Sequence, residues 1–145
     1  GGRDVFGAKL ISVFPENFAK GVQSHQGVVV LFDPESGAPV CVAHAGEITA
    51  IRTAAASAVA TDALALPDAS RLALLGYGEQ AATHARAISK VRAVEAITVW
   101  GRSPERAQAF AAKIQSELDI PTIAAPSALA CAWRRLGVSV WKIAM

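Results

Sequence analysis

After residue 70, short apolar segments typical of buried strands alternate with segments whose apolar residues have helical spacing. Short apolar runs at Arg71–Leu75 and Ala96–Trp100 predict buried strands. Between them, Gln80–Val91 carries apolar residues at helical spacing, which predicts an amphipathic helix. A second helix is predicted at Glu105–Leu118 and a third strand at Thr122–Ala124. Strands that alternate with helices in this way favour an α/β fold with a parallel sheet.

The chain before residue 70 has a different pattern. Turn residues at 34–37 separate two apolar runs, which predicts a β-hairpin. A long Ala-rich segment then predicts a helix that packs closely against a neighbour. Pro67–Ser70 is the expected domain boundary. The predicted elements are strands at Ala8–Phe14, Val28–Asp33 and Pro39–Ala43 and a helix at Glu47–Leu66.

Composition and charge exclude several classes of protein. The chain has 145 residues, a length that suits one domain, and 52% of them are hydrophobic. A net charge of +2, with scattered basic residues, does not favour a nucleic-acid partner. No apolar run approaches the roughly 18 residues of a membrane span, and no signal peptide is recognised, so we expect a cytoplasmic protein without a membrane partner. Cys41 and Cys131 lack metal-type spacing, so we expect buried thiols and no metal site.

The turn after the first parallel strand has the spacing Gly-x-Gly-x-x-Ala. It reads Gly76-Tyr77-Gly78-Glu79-Gln80-Ala81. In a dinucleotide-binding βαβ unit the first glycine allows a tight turn, the second lets the backbone approach a pyrophosphate, and the small third residue lets helix and strand pack closely. The helix N-terminus then offers free N–H groups and a positive dipole end to the phosphates. The alternative is a tight strand–helix turn without a ligand.

The end of the next strand bears on the choice of cofactor. An NAD site usually has an acid there for the ribose 2′-hydroxyl, whereas this chain has Gly101, Arg102 and Ser103. Arg102 could pair with a 2′-phosphate and Ser103 could donate its hydroxyl. We therefore expect NADP(H) to be preferred, with NAD(H) still possible. Arg102 as a solvated surface charge, and Ser103 as a helix cap before Pro104, are the alternatives.

Several segments together resemble the ornithine cyclodeaminase/mu-crystallin family. They are Ser24-His25-Gln26, the run 29–33 with its Gly37 turn, the segment 48–58 containing Arg52-Thr53-Ala54-Ala55, and the glycine loop with Gln80-Ala81. The resemblance extends from about Lys9 to about Ile114. It implies part of an α+β substrate and dimerisation domain at residues 1–68, followed at 69–125 by the first half of a Rossmann-type cofactor domain.

The resemblance also implies roles for single residues. Lys9 matches an active-site lysine that meets the substrate carboxylate, and Arg52 matches an arginine that holds substrate carboxylate or cofactor phosphate. Ser24, His25 and Thr53 match positions that line the cofactor. The apolar neighbours of Arg52 favour its burial, where a guanidinium requires an anionic partner. Lys9 at a strand edge, Arg52 on a helix surface and His25 as a surface residue are the alternatives, and His44 and His84 are interpreted as structural.

The chain also departs from the family pattern. It lacks a match to the family's N-terminal substrate-binding arginine, to its catalytic aspartate and to the later Rossmann strands. Residues 126–145 fit no further βαβ repeat and are interpreted as an atypical tail. We therefore expect a fragment that is inactive as given.

The activity implied for an intact relative is NAD(P)-dependent chemistry on the C–N bond of a small amino acid or cyclic imino acid. Ketimine reductase and ornithine cyclodeaminase are the two implied forms, the missing 2′-ribose acid favours the reductase, and the complete protein is expected to be a homodimer. The alternatives are a non-catalytic NADPH or small-ligand binding protein of the mu-crystallin type and an inactive remnant.

Overall fold

A computed structural model describes residues 4–132 and 138–141, with backbone alone for the last four and for Phe18 and Ala19. The chain divides into two compact units between Arg52 and Thr53. In chain order the elements are β1 (Phe6–Val13), a 3-10 helix (Pro15–Lys20), β2 (His25–Phe32), β3 (Pro39–His44), α1 (Ala45–Leu64), β4 (Arg71–Leu75), α2 (Glu79–Val91), β5 (Ala96–Trp100), α3 (Pro104–Leu118), β6 (Thr122–Ala124), α4 (Ala128–Ala132) and β7 (Val138–Trp141).

The first unit contains a three-stranded antiparallel sheet in the order β1-β2-β3. The predicted hairpin between β2 and β3 is confirmed, and Asp33 organises its turn by accepting hydrogen bonds from the Ser36 backbone N–H (2.8 Å) and hydroxyl (2.7 Å). These hydrogen bonds, the backbone one first, hold the pKa of the Asp33 carboxyl below its usual range. Gly37 completes the turn at φ +70°, a conformation that favours glycine.

The second unit contains a parallel sheet in the order β6-β5-β4-β7. The inner strands bury Leu74 and Val99 completely, and α2 and α3 cover them with apolar stripes that end in Ile88 and Ile114. Each stripe carries alanines one turn apart, so helix and sheet approach closely. The predicted fold class, α/β with a partial Rossmann-type domain, is confirmed.

The end of the chain differs from the prediction of a tail outside the βαβ pattern. Strand β7 pairs in parallel with β4, with Val138 opposite Arg71 and Trp141 opposite Leu74. Four residues carry too little periodicity to indicate a strand, and only the pairing with β4 defines it. Residues 133–137 and 142–145 lie outside the described residues. The assignment of 1–68 to a substrate and dimerisation domain stays a prediction.

The two cysteines lie in opposite environments. Cys131, on α4, is buried, and its thiol donates to the carbonyl oxygen of Thr98 at 3.3 Å. Burial raises the pKa of this thiol to about 11. Cys41 is exposed on β3, so the expectation that both thiols are buried is wrong for Cys41. The reason is that β3 is an edge strand whose side chains are mostly exposed.

Candidate functional site

The glycine loop connects the end of β4 to the start of α2. Gly76 adopts φ +139°, which favours glycine, and its N–H donates to the carbonyl oxygen of Trp100 at 2.7 Å. Gly78 is the N-cap of α2 and supplies no side-chain cap, whereas Ala81 is buried where helix and sheet pack. The three small residues thus perform the three structural tasks that the spacing predicts: a tight turn, an open helix N-terminus and a close helix contact.

Gln80 leaves an unsatisfied acceptor beside this loop. Its backbone carbonyl accepts from Nδ1 of His84 at 2.6 Å, but its side-chain Oε1 is buried and has no hydrogen-bond partner among the described residues. A buried acceptor without a donor is unfavourable by about 1–3 kcal/mol. Both the orphaned oxygen and the open helix end therefore fit a polar ligand at this loop. Glu79 is exposed in the first turn of α2.

His84 has the structural role that the sequence suggests. It is buried on α2, and besides the Gln80 carbonyl it contacts the hydroxyl of Ser57 through Nε2 at 3.0 Å. Since Nδ1 faces a carbonyl oxygen, Nδ1 carries the proton and Nε2 accepts from Ser57. A histidine with both ring nitrogens engaged in this way stabilises the packing of its helix.

The turn from β5 to α3 places Arg102 and Ser103 beside the glycine loop. Ser103 caps α3 by accepting from the backbone N–H of Arg106 at 3.2 Å, and its own hydroxyl donates to Oε2 of Glu105 at 2.8 Å. The Glu105 backbone N–H and this hydroxyl hold the pKa of Glu105 below its usual range. The capping role of Ser103 is therefore observed. Arg102 is exposed.

Tyr77 forms a contact between the two turns that sequence reasoning missed. Its ring lies against Gly101, where a Cβ atom would collide with Cδ1 and Cε1 of the ring. The guanidinium carbon of Arg106 lies 4.9 Å from the ring centroid. Arg106 stands four residues after Arg102, a spacing that could have indicated a second cation on the same turn.

Lys9 belongs to the first unit and contacts the start of α1. Its Nζ donates to Oγ1 of Thr49 at 2.5 Å, and Thr49 in turn donates to the carbonyl oxygen of Ala45 at 2.6 Å. Thr53 follows Thr49 by one helical turn and is exposed. The structure therefore brings Lys9 to the first turns of the helix that carries Arg52 and Thr53.

Arg52 does not have the environment predicted for it. It is exposed, as is its neighbour Ile51 at 61%, and no carboxylate within residues 4–132 pairs with it. The apolar neighbours that favoured burial lie on different faces of α1, where Ala50 and Ala54 are buried and Ile51 is not. The expected burial of Arg52 is therefore wrong, because adjacent residues on a helix point in different directions.

Ser24 and His25 form a pair at the start of β2. Ser24 is buried at 6% exposure, and its hydroxyl lies 3.0 Å from Nδ1 of His25, which is exposed. Their assignment as cofactor-lining residues stays a prediction.

A separate cavity of about 360 Å³ lies at the N-terminal ends of β4 and β5. Its lining includes Ser70 and Glu95, which immediately precede β4 and β5, whereas the glycine loop follows β4. This cavity is therefore distinct from the candidate site. Residues 4–132 contain no group of three or more potential metal ligands and no helix long and apolar enough to cross a bilayer.

Comparison with known proteins identifies the family. A Δ1-pyrroline-2-carboxylate reductase from Bacillus cereus is 38% identical over 120 residues, which cover 83% of this chain and 37% of that protein. An L-lysine cyclodeaminase from Streptomyces rapamycinicus is 40% identical over 126 residues, 86% of this chain and 37% of that protein.

A solved structure shares both sequence and fold. The Δ1-pyrroline-2-carboxylate reductase of Thermococcus litoralis, determined in complex with NADH and L-proline, matches with a TM-score of 0.83 and 36% identity over 88% of this chain and 40% of that one. This chain thus spans about two-fifths of the length of these relatives. The model of the ornithine cyclodeaminase/mu-crystallin family matches residues 1–132, and the chain belongs to that family.

Proposed function

We propose that the chain functions in NAD(P)-dependent chemistry on the C–N bond of an amino acid or cyclic imino acid, as ketimine reductases and ornithine cyclodeaminases do. The observation that carries this proposal is the glycine loop: Gly76 is hydrogen-bonded to the end of β5, and α2 begins without a side-chain cap. The match to the family model, over residues 1–132, includes both of these features.

A nicotinamide dinucleotide fits the loop on physical grounds. The uncapped first turn of α2 offers backbone N–H groups and a positive dipole end to a pyrophosphate. The orphaned Oε1 of Gln80 is an acceptor suited to a hydroxyl or amide donor of the same ligand. When bound, the nicotinamide supplies hydride transfer, and the chain's residues supply position and electrostatics.

The finer proposal is a preference for NADP(H) over NAD(H). Arg102 is the second residue after β5, near the strand end where an NAD site has an acid, and a guanidinium binds a phosphate with charge-assisted hydrogen bonds. Ser103 contributes only if its hydroxyl leaves Glu105. Because the Thermococcus relative was determined in complex with NADH, the preference for NADP(H) has to be measured on this chain itself.

For the substrate we propose a small carboxylate-bearing amino or imino acid. Lys9 provides the cation, and Thr49 fixes the position of its ammonium by accepting one of its three protons. The remaining two N–H donors are available to a carboxylate. Arg52, exposed on the same helix as Thr49, provides a second cation for substrate or phosphate.

A non-catalytic binding function of the mu-crystallin type is the second candidate. Two observations favour it. The glycine loop is held by a hydrogen bond to the end of β5, whereas the candidate catalytic residues Lys9 and Arg52 are exposed. Such a protein would bind the cofactor without consuming it.

We also propose a homodimer in the cytoplasm. Apolar side chains on β1 and β3 are at least half exposed, including Leu10 at 66% and Val42 at 68%. A second copy is the partner that would cover these strands, and light scattering of the purified chain tests the proposal.

The experiment that tests the cofactor site is a fluorescence titration with NADPH. Gly78→Val is compatible with the backbone at Gly78, φ −89° and ψ −176°, and places a branched side chain where the phosphates approach. We expect loss of NADPH binding without loss of the folded state in circular dichroism. Ala93→Val, which adds a similar bulk at an exposed loop position after α2, is the matched control.

Turnover is tested by incubating the chain with Δ1-pyrroline-2-carboxylate and reduced cofactor. Oxidation of the cofactor supports the reductase. Cofactor binding without oxidation is expected both of a non-catalytic binding protein and of an inactive fragment of a reductase. Absence of binding by the unaltered chain contradicts the cofactor proposal.

A further inference from the structure

Arg106 is held on the face of Tyr77 at the junction of the two turns. The guanidinium carbon is 4.9 Å from the ring centroid, within the range in which the negative face of an aromatic ring attracts a cation. Tyr77 is itself half-buried and packs against the core of the second unit. The ring therefore gives an otherwise flexible arginine a defined position.

Gly101 is what allows the ring to lie there. Any side chain at this position would place its Cβ atom on Cδ1 and Cε1 of Tyr77. Rigid ring atoms cannot move aside as the end of a long side chain can, so the ring and a residue larger than glycine are incompatible in this arrangement. We call this cluster of Gly101, Tyr77 and Arg106 the Tyr77 clamp.

The guanidinium of Arg106 has its hydrogen-bonding capacity available. Arg86 and Lys113 both pair with Glu117, but no carboxylate within residues 4–132 pairs with Arg106. Arg106 is exposed, and an arginine carries five N–H donors in a planar arrangement that suits phosphate oxygens.

We propose that Arg106 is a specificity-determining residue that binds the 2′-phosphate of an adenosine nucleotide together with Arg102, and that Tyr77 positions it. Arg102 lies two residues before α3 and Arg106 lies in its first turn, beside the strand end where a dinucleotide-binding unit places the adenosine ribose. Two arginines outweigh the single opposing charge of Glu105 on the same turn. This inference rests on the proposed function, because it names a further residue of the same cofactor site.

The test compares two probes that differ only in the 2′-phosphate: adenosine 2′,5′-bisphosphate and adenosine 5′-monophosphate, each titrated by calorimetry into the full chain. We expect Arg106→Gln to weaken the bisphosphate about fivefold and the monophosphate less than about twofold. Lys113→Gln removes the same charge from the same helix two turns later, and should change neither affinity.

Two substitutions at Tyr77 test its role in positioning. Tyr77→Phe keeps the aromatic face and should retain the preference for the bisphosphate. Tyr77→Leu removes it and should reproduce most of the effect of Arg106→Gln, as should Gly101→Ala, which displaces the ring. Thermal unfolding of each variant establishes that the chain is folded.

The outcomes separate the inference from the function on which it rests. If the unaltered chain prefers the bisphosphate but Arg106→Gln leaves the ratio of the two affinities unchanged, the inference is overturned and the NADP(H) preference stands. An equal loss of affinity for both probes also overturns it, because Arg106 would then contact the part that the two probes share or act only through the net charge of the site. If the unaltered chain shows no preference, the NADP(H) proposal fails and the inference fails with it.

Discussion

The two sheets of this chain bury their apolar residues to different extents. In the parallel sheet, Leu74 and Val99 are fully buried beneath α2 and α3. In the antiparallel sheet, all eight residues of β1 are exposed, and β3 has one half-buried residue among six. Burial holds the glycine loop and the Tyr77 clamp in position, whereas Lys9 depends on a single hydrogen bond to Thr49. The glycine loop of the second unit is therefore held in place by the core of that unit, whereas Lys9 in the first unit has no such support.

The largest effect is expected from a leucine-to-alanine substitution, made once in each sheet. Leu74→Ala deletes a completely buried side chain and should lower the free energy of unfolding by about 2–5 kcal/mol. Leu10→Ala makes the same change at 66% exposure and should lower it by less than about 0.5 kcal/mol. Denaturant unfolding followed by circular dichroism measures both, and equal losses would contradict the contrast.

Charge reversal at Arg102 in the second unit should have the next largest effect. Arg102→Asp replaces attraction to a 2′-phosphate by repulsion, so NADPH binding should weaken by about 2–4 kcal/mol, and NADH binding far less. Fluorescence titration with the two cofactors gives the difference directly. Similar losses for both would mean that Arg102 does not contact the 2′-phosphate.

In the first unit, Lys9→Met removes the ammonium and keeps most of the side-chain length. Affinity for L-proline, used as a carboxylate-bearing probe in calorimetry, should fall at least about tenfold, or ~1.4 kcal/mol. Lys20→Met, at the end of the 3-10 helix, makes the same change as a control. A fall of less than about threefold for Lys9→Met would contradict the carboxylate role.

The smallest expected effect concerns Glu105. Glu105→Gln removes the negative charge of the β5–α3 turn and weakens the competition for the Ser103 hydroxyl, so NADPH binding should strengthen about two- to threefold at neutral pH. The pKa of Glu105 is lowered, so the carboxylate is charged throughout the neutral range and the gain should fade only as acid protonates it. An unchanged affinity at neutral pH would show that Glu105 does not oppose the phosphate.

Local pattern was sufficient for the part of the parallel unit from β4 to β6, but not for α4 and β7. Strands β4, β5 and β6 have the predicted bounds, and α2 and α3 each begin one residue earlier than predicted. Their signals are strong because strand and helix periods alternate and each helix begins at a recognisable residue, Gly78 or Ser103. In the first unit the strand bounds shift by up to three residues, since no polar alternation marks the strand ends. Helix α1, which continues into the second unit, begins and ends two residues earlier than predicted.

The sequence by itself determined the spacing of the glycine loop, the absence of an acid after β5 and the family to which the chain belongs. Each of these depends on residues close together in the chain, where backbone geometry and side-chain size act directly. Only the tertiary structure decided that β7 joins β4, that Arg52 is exposed and that Arg106 lies on Tyr77. These three features depend on which surfaces meet in space, and residues 29 positions apart, such as Tyr77 and Arg106, leave no periodic signal of their contact.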